Sequence, residues 1–184
     1  MLPTLSSIRI VQQPLSSAAD LVDLYLRAYQ PLGDYYYRHR AEVKVYLRWL
    51  RHRDPNGSFI AYDGERPVGF IAVDPRWDHD TGAIHELVVD PAYQGRGLGR
   101  ALLGYGMAYL RSHGCRQCEL WVGAHNERAR ALYRSLGFAE NGRWGKWIRM
   151  VRSLEDLPEA LALAAGRSEG RSPEQPPPGD RPRG

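Results

Sequence analysis

The amino-acid sequence predicts a mixed α/β fold, in which a central and mostly antiparallel sheet of about seven strands is flanked by about four helices. Two observations lead to this class. Short apolar segments rich in β-branched residues alternate along the chain with longer segments whose apolar residues recur at helical spacing. Glycine, proline and Asx residues mark the boundaries between these segments. Elements in this order pack as a mixed α/β sandwich.

The first third of the chain predicts one strand and two helices. The segment SIRIVQ (7–12) alternates as a strand, and Ser17 or Asp20 can cap the helix that follows it to about Gly33. A basic segment, 35–53, has the apolar spacing of a second, amphipathic helix, which the residues DPNG end. We expect its charged face to be solvated rather than to bind nucleic acid.

Three adjacent antiparallel strands are predicted next. The segment SFIAY alternates as a strand, and the turn residues DGER return the chain as PVGFIAV. A polar loop, DPRWDHDTG, separates this hairpin from AIHELVV. The last segment is apolar enough to be a central strand.

The second half of the chain alternates helices with strands and ends in a hairpin. A glycine-rich loop leads into a helix that ends near His113, and QCELWV follows as a strand. The segment NERARALYRSL has helical spacing and stops at Gly137. The residues FAENGRWGKWIRMV then predict a hairpin with Gly142 and Gly145 near its turn.

The domain organisation follows from where these patterns end. We expect residues 1–153 to form one domain. Residues 154–184 are predicted to add a short helix followed by a Pro/Gly-rich disordered tail, because nine of the nineteen residues from 166 onwards are Pro or Gly.

Composition narrows the functional classes. Apolar residues make up 43% of the chain and charged residues 25%, with a formal net charge of +4, as in an ordinary globular protein. No apolar run approaches the length of a membrane span and no signal-peptide pattern opens the chain, so the sequence predicts a cytoplasmic protein with no membrane partner. The two cysteines, in HGCRQC, lack further zinc ligands of suitable spacing, so no metal site is expected. A homodimer is compatible with the sequence.

The loop in YQGRGLGRALL (93–103) is the strongest functional signal. A glycine loop between a strand and a helix directs unpaired N–H groups and the positive end of the helix dipole at one place, which is an anion site. The dinucleotide fingerprint would need glycine or alanine where Arg100 or Leu102 stands, and a P-loop would need Ser or Thr where Trp147 follows GK. The pattern that remains is Q-x-x-G-x-G, formed by Gln94, Gly97 and Gly99.

This pattern resembles the pyrophosphate loop of the GNAT family of acyl-CoA-dependent N-acetyltransferases, which has the form R/Q-x-x-G-x-G/A. The surrounding LVVDPAYQGRGLGRALL matches the strand, loop and helix of the family, and NERARALYRSLGF is similar to its later N-x-x-A-x-x-L-Y-x-x-x-G-F segment. The resemblance covers roughly residues 58–150 and implies the GNAT fold. It also implies transfer of an acetyl group from acetyl-CoA to the primary amine of a small molecule, by direct attack on the thioester. A protein or peptide acceptor, modified at its N-terminus or a lysine, and a CoA-binding module without catalysis are alternatives.

The resemblance further implies which residues hold acetyl-CoA. Backbone N–H groups of the loop would bind the pyrophosphate, arginine side chains would add charge-assisted bonds, and the strand before the loop would pair with the pantetheine arm. An asparagine would bond to the pantetheine, cap its own helix, or do both. These cofactor-binding residues are Leu87, Val88, Val89, Gln94, Gly95, Arg96, Gly97, Leu98, Gly99, Arg100 and Asn126.

Two residues are candidates for catalysis. Tyr133 matches the family tyrosine near the CoA sulfur, where it would stabilise the leaving thiolate; the alternative is a tyrosine packed in the core. Glu86, in AIHELVVD, lies on the strand where family members often place a carboxylate that relays the amine proton through water. The alternative is a solvent-facing or ion-paired glutamate. Strand alternation predicts that His85 points to the face opposite Glu86.

The residues that bind the amine acceptor are the least well predicted from the sequence. Ribosomal-protein acetylases of the family carry a catalytic glutamate five residues before the asparagine, where this chain has Trp121. Glu119 lies two residues away on the same strand face and could act as a shifted base. The run YYYRHR (35–40) could line an acceptor pocket, and Trp77 with Asp78 and Asp80 could flank a cationic amine. Both groups could equally be ordinary surface.

Overall fold

A computed structural model of the chain describes residues 7–33 and 36–157. The strands are β1 (Ile8–Gln12), β2 (Ser58–Asp63), β3 (Arg66–Asp78), β4 (Thr81–Val89), β5 (Gln117–Gly123), β6 (Ala139–Trp144) and β7 (Trp147–Ser153). The α-helices are α1 (Ala19–Tyr29), α2 (Arg40–Arg53), α3 (Leu98–Ser112) and α4 (Glu127–Ser135). Seven strands and four helices confirm the predicted class.

The strands form one sheet in the order β1-β2-β3-β4-β5-β7-β6. The β4–β5 pair is parallel and the other neighbouring pairs are antiparallel. The parallel pair is the place where α3 crosses over between neighbouring strands, as a parallel connection requires. The predicted mixed, mostly antiparallel sheet is therefore confirmed.

Two predicted boundaries differ from the structure. The N-cap of α1 is Ala18, which makes no side-chain capping bond, so neither predicted capping residue occupies that position. The predicted polar loop after PVGFIAV is mostly strand, because β3 runs to Asp78 and pairs there with Thr81 of β4. Ladder pairing uses only backbone groups, so polar side chains did not prevent the hairpin from lengthening.

The sheet separates two apolar cores. On one face, α3 and α4 cover a core that contains Leu102 and Met107, both fully buried. On the other face, α1 and α2 pack Leu24 and Leu47 against Phe70 of β3. The second core takes residues from β2, β3 and β4, and it includes no described residue of β5, β6 or β7. The α1–α2 layer therefore covers only one half of its face of the sheet.

A cleft opens at the centre of the sheet because β4 and β5 separate. The two strands are paired from Thr81 with Gln117 to Ile84 with Leu120, and the ladder ends there. The rest of β4 remains paired with β3, up to Val89. The far half of β4 therefore turns one backbone edge towards the cleft instead of towards a neighbouring strand.

A β-bulge in β4 changes the direction of one predicted site residue. Ile84 is opposite Val73 and Glu86 is opposite Ala72, which makes His85 the extra residue between them. A bulge interrupts the alternation of side chains, and both His85 and Glu86 line the cleft. The expectation that His85 points to the face opposite Glu86 is therefore wrong.

The described part of the chain ends in contact with the main core. Leu154 and Leu157 are buried there, with 0% and 4% of their surface exposed. The predicted disordered tail lies outside the described residues, and the division at residue 153 stays a prediction. Among residues 7–33 and 36–157, no helix is long and apolar enough to cross a membrane.

Candidate active site

The cleft between β4 and β5 has a volume of about 1600 Å³. Residues of α1, α2 and β3 line one side of it, the glycine loop and α4 line another, and the β6–β7 hairpin contributes to its rim. The cleft brings together all the predicted site residues except Arg96 and Leu98. The side chain of Leu98 is instead buried in the α3 core, which leaves only its backbone for a ligand.

The glycine loop has the backbone geometry of a candidate anion site. Gly95 and Gly97 have φ values of 77° and 88°, a left-handed conformation that residues with a Cβ adopt at a cost. Gly97 is the N-cap of α3, and the N–H groups of the first helical turn have no acceptor within the helix. These donors and the positive end of the helix dipole suit a diphosphate.

Gly99 has a different reason to be glycine. A Cβ atom at this position would lie 3.2 Å from Cδ2 of Leu132 in α4, which is closer than ordinary van der Waals contact. The glycine therefore allows α3 to pack closely against α4 beside the loop. The two motifs that are separated in the sequence meet at this contact.

The polar side chains of the loop differ in their surroundings. Gln94 donates from Nε2 to the carbonyl of Val89 at 3.0 Å, which ties the loop to the end of β4. Arg100 lines the cleft and donates to Oγ of Ser135 at 2.7 Å. The guanidinium of Arg96 lies 5.9 Å from the centre of the Tyr93 ring, and a contact with phosphate remains a prediction for it.

Arg128 is a candidate phosphate ligand that the sequence motifs did not indicate. Its NH2 atom lies 3.3 Å from the position that a Cβ of Gly95 would occupy, and the residue lines the cleft. The motif allows any residue at this position. The sequence did contain one indication of this role. A cation in the first turn of a helix is unfavourable beside the positive end of the helix dipole, so Arg128 at that position suggests an anionic partner.

The last three residues of β4 offer backbone rather than side chains to the cleft. Val88 is buried in the α1–α2 core, with 1% of its surface exposed, and Leu87 and Val89 pack against the α3 core. The backbone pairs with β3 on one edge and lacks a β5 partner on the other. This free edge suits an extended arm with amide groups, and it leads directly to the glycine loop. The site therefore fits acetyl-CoA as a substrate.

Glu86 is a buried carboxyl group on the wall of the cleft, with 7% of its surface exposed. Its Oε1 accepts hydrogen bonds from the hydroxyl of Tyr29 and from the N–H of Leu87, the latter at 3.1 Å. Burial raises the pKa of Glu86 to about 7, and the hydrogen bonds from Tyr29 and the Leu87 backbone limit the rise. A carboxyl group with this pKa can accept and release a proton near neutral pH.

Tyr133 and Asn126 lie on α4 at the opposite side of the cleft. The ring of Tyr133 packs against Phe138 in the α3 core, yet the residue also lines the cleft. Burial and the nearby charge of Glu86 raise the pKa of Tyr133, so its hydroxyl stays protonated and can donate a hydrogen bond. Oδ1 of Asn126 accepts from the N–H of Ala129 at 3.2 Å, so the asparagine caps its own helix.

Glu119 faces the cleft, but its carboxylate is already engaged. Oε1 accepts from the indole N–H of Trp77 at 2.9 Å, and Oε2 accepts from Nε and NH2 of Arg149, with Nε at 2.9 Å. Both carboxylate oxygens of Glu119 are therefore occupied by donors of the protein, and the side chain acts as an anchor for Trp77 and Arg149.

His85 lies between two aromatic rings on the acceptor side of the cleft. Its ring contacts Trp49 and Trp77 in edge-on geometry, with centroids 5.0 and 5.1 Å away. Nε2 lies 3.6 Å from Oδ2 of Asp74, whose carboxylate is paired with Arg53. The predicted acceptor residues Tyr36, Tyr37, Trp77 and Asp78 also line this side of the cleft.

The two cysteines take no part in the cleft. Cys115 and Cys118 are buried free thiols. Within the described ranges, no group of three His, Cys, Asp or Glu side chains is arranged to hold a metal ion.

Comparison with known proteins identifies related sequences. A family model described as the Acetyltransferase (GNAT) family matches residues 18–138. An uncharacterized N-acetyltransferase of Methanocaldococcus jannaschii is 38% identical over 140 residues, which cover 73% of this chain and 62% of the relative. A mycothiol acetyltransferase of Geodermatophilus obscurus is 41% identical over 101 residues, which cover 52% of this chain and 33% of the relative. The chain thus spans less than two thirds of the length of either relative.

Solved structures share the fold. The crystal structure of a Pyrococcus horikoshii protein, PH1933, superimposes with a TM-score of 0.71 at 36% identity and covers 79% of this chain and 98% of its own. The PaiA N-acetyltransferase of Thermoplasma acidophilum, solved in complex with coenzyme A, has a TM-score of 0.68 at 19% identity, with coverage of 80% and 99%. At that identity, the second likeness concerns the fold alone.

Proposed function

Since this chain belongs to the GNAT family of acetyltransferases, we propose that it transfers the acetyl group of acetyl-CoA to the primary amine of a small molecule. The amine nitrogen attacks the thioester carbon directly, the C–S bond breaks, and CoA leaves as a thiolate that takes up a proton. Glu86 accepts the proton that the amine loses, directly or through water.

The buried carboxyl group of Glu86 is the observation that carries this proposal. A lysine-like amine has a pKa of about 10.4, so removing its proton at pH 7 costs about 4.6 kcal/mol, whereas an α-amino group costs about 1.4 kcal/mol. With a pKa of about 7, Glu86 can accept a proton at neutral pH. It lies where β4 and β5 separate. The amine therefore meets a proton acceptor at the place where the thioester arrives.

Tyr133 assists the departure of the thiolate. Its raised pKa favours hydrogen-bond donation to the sulfur over full proton transfer, since the phenol is a weaker acid than a thiol. The loop N–H groups, with Arg100 and Arg128, hold the diphosphate. Backbone groups of Leu87 and Val89 orient the pantetheine arm so that the thioester reaches Glu86.

The small-molecule acceptor is supported by the relatives. Proteins named mycothiol acetyltransferase act, by that name, on a small molecule, and one of them aligns with this chain at 41% identity. A peptide or protein acceptor is the second candidate. It is favoured by the uncovered half of the sheet beside the cleft, where Trp121 and Trp144 are 43% and 79% exposed.

The test is thiol release from acetyl-CoA with a panel of small amines and short peptides. We expect release that depends on an amine and that falls at least about 100-fold at pH 7 in Glu86→Gln. Glu65→Gln, at the exposed β2–β3 turn, is the matched control and should keep full activity. Absence of amine-dependent release with every acceptor would overturn the proposed activity.

A further inference from the structure

Aromatic rings from five parts of the chain line the acceptor side of the cleft, and Tyr25 connects the rings of Tyr29 and Tyr46. Tyr29 stacks on Tyr36 with ring centres 6.0 Å apart, and Tyr46 stacks on Trp49 at 5.9 Å. His85 continues the surface from Trp49 to Trp77 on β3. We refer to these side chains as the aromatic wall: Tyr29, Tyr36, Tyr46, Trp49, Trp77 and His85, all of which line the cleft.

Several polar atoms of the aromatic wall are bonded within the protein. The hydroxyl of Tyr29 donates to Glu86, and that of Tyr46 donates to the carbonyl of His85 at 3.4 Å. The indole N–H of Trp77 donates to Glu119. The wall therefore offers a ligand mainly ring surface, which binds aromatic and other apolar groups.

The acceptor side has little negative charge to spare for a second ammonium group. Among the described residues that line the cleft, the carboxylates are Glu86, Glu119 and Asp78. Glu119 is neutralised by Arg149, and Asp78 lies at the rim with 71% of its side chain exposed. Arg53 also lines this side, and its charge is paired with the buried carboxylate of Asp74. A second cation on the acceptor would therefore meet paired and solvent-screened charges instead of a buried carboxylate that lacks a partner.

From the aromatic wall and this charge distribution, we infer that the acceptor is a monoamine that carries an aromatic or large apolar group close to the reacting nitrogen. The inference rests on the proposed function and specifies its substrate class. Tyr29 belongs to the wall and bonds to Glu86, so the apolar group must begin within a few bonds of the amine. Polyamines and hydroxylated sugars are excluded as preferred acceptors, because the wall gives them neither a counter-charge nor enough free polar partners.

An aromatic group close to a reacting amine occurs both in a small arylalkylamine and at the N-terminus of a peptide that begins with Phe. One panel of acceptors separates these two sources. The panel contains 2-phenylethylamine, propylamine, 1,4-diaminobutane and glucosamine, with tetrapeptides that begin with Phe, Ala or Lys. Values of kcat/KM are compared at equal free-base concentration, so that differences in amine pKa do not enter. We expect 2-phenylethylamine to exceed propylamine at least about tenfold, the range that apolar pocket contacts provide, and to exceed the diamine and the sugar by more. Higher activity with the Phe peptide than with the free amine would identify a peptide N-terminus as the source.

Variants of the aromatic wall test whether it is the cause of the preference. Tyr36→Leu changes a half-exposed loop residue, so folding should be unaffected. It should lower kcat/KM for 2-phenylethylamine several-fold more than it lowers kcat/KM for propylamine. Tyr62→Leu, a half-buried tyrosine of β2 that does not line the cleft, is the matched control and should alter neither value. An equal loss for both amines in Tyr36→Leu would mean that the wall supports the fold and does not select the acceptor.

Arg149→Met tests the charge argument directly. Removing the guanidinium frees the carboxylate of Glu119, so the ratio of kcat/KM for 1,4-diaminobutane to that for propylamine should rise at least about tenfold. Arg143→Met, on exposed β6, is the control. An unchanged ratio would show that the Glu119–Arg149 pair does not exclude the second cation.

Equilibrium binding keeps this inference separate from the proposed function. In calorimetric titrations of the CoA-bound protein, 2-phenylethylamine should have a lower Kd than 1,4-diaminobutane or glucosamine. If no amine is acetylated but this order of binding is found, the proposed activity falls and the inference stands. If amines are acetylated or bound with no preference for the aromatic one, or with the diamine or sugar preferred, the inference is overturned.

Discussion

Replacing Glu86 by Gln removes the proposed proton acceptor while keeping the size of the side chain. The wild-type carboxyl group has a pKa of about 7, so about half of it is ionised at pH 7. Only about one in 2500 molecules of a lysine-like amine is the free base at that pH. General bases contribute about 10²- to 10⁴-fold, so we expect kcat to fall at least about 100-fold in Glu86→Gln at pH 7.

Raising the pH should restore most of this loss. Between pH 7 and pH 9.5 the free-base fraction of such an amine rises about 300-fold. The solution then provides the deprotonated amine that the carboxylate generates at pH 7. The wild-type rate should level off above pH 7, because its carboxylate is then already ionised. The deficit of Glu86→Gln should therefore shrink to a few-fold at pH 9.5.

The assay is thiol release with saturating acetyl-CoA from about pH 6 to 9.5 for the wild type, Glu86→Gln and the control Glu65→Gln. The acceptor is the best substrate of the panel. A deficit that stays constant with pH, or one below about threefold, would refute the reasoning. The amine would then lose its proton to water or to another group such as Glu119.

Further expectations follow from the same site. Glu86→Gln should also change how the free energy of unfolding depends on pH. The pKa of Glu86 is about 7 in the folded protein and 4.5 ordinarily, so the wild type loses stability as the pH rises between these values. The loss should be about 3 kcal/mol relative to the variant, which has no carboxyl group to ionise. Urea denaturation of both proteins at pH 4.5 and 7.5 measures this, and a pH-independent difference would contradict it. Gly97→Glu should abolish acetyl-CoA binding, as measured by calorimetry, and should lower the free energy of unfolding by only about 1 to 2 kcal/mol. The control Gly114→Glu, at an exposed position with nearly the same φ of 87° and nothing within 4 Å, should bind normally; equal loss in both would point to misfolding. Tyr133→Phe should lower kcat by a factor that does not change with pH, because more free amine does not help the leaving group, and recovery at high pH would argue against a role at the sulfur.

Local patterns in the sequence were sufficient for the fold class and for the donor half of the site. The glycines at 95 and 97 are required by their own backbone conformation, and the N–H groups that they expose belong to the helix that follows directly. Strand alternation and helical spacing likewise depend on near neighbours in the chain. The order of elements, the anion loop and the position of Glu86 on a central strand could therefore be predicted without a structure.

The acceptor half could not be predicted, because each of its features depends on contacts between distant segments. The bulge that turns His85 into the cleft arises from pairing between β3 and β4. The carboxylate of Glu119 is held by Trp77, 42 residues earlier, and by Arg149, 30 residues later. The raised pKa of Glu86 depends on its burial, and Tyr29 of α1, 57 residues earlier, is its hydrogen-bond partner.

The sequence by itself determined a GNAT sheet with a glycine loop before α3, and it named the candidate carboxylate and tyrosine that flank the cleft. Only the tertiary structure decided which neighbours these groups have: Trp77 and Arg149 hold Glu119, whereas Glu86 is buried beside Tyr29. The physical reason is that a side chain's identity and spacing are encoded locally. Its desolvation, its ion pairs and the rings that it meets are set by segments that folding brings together from far along the chain.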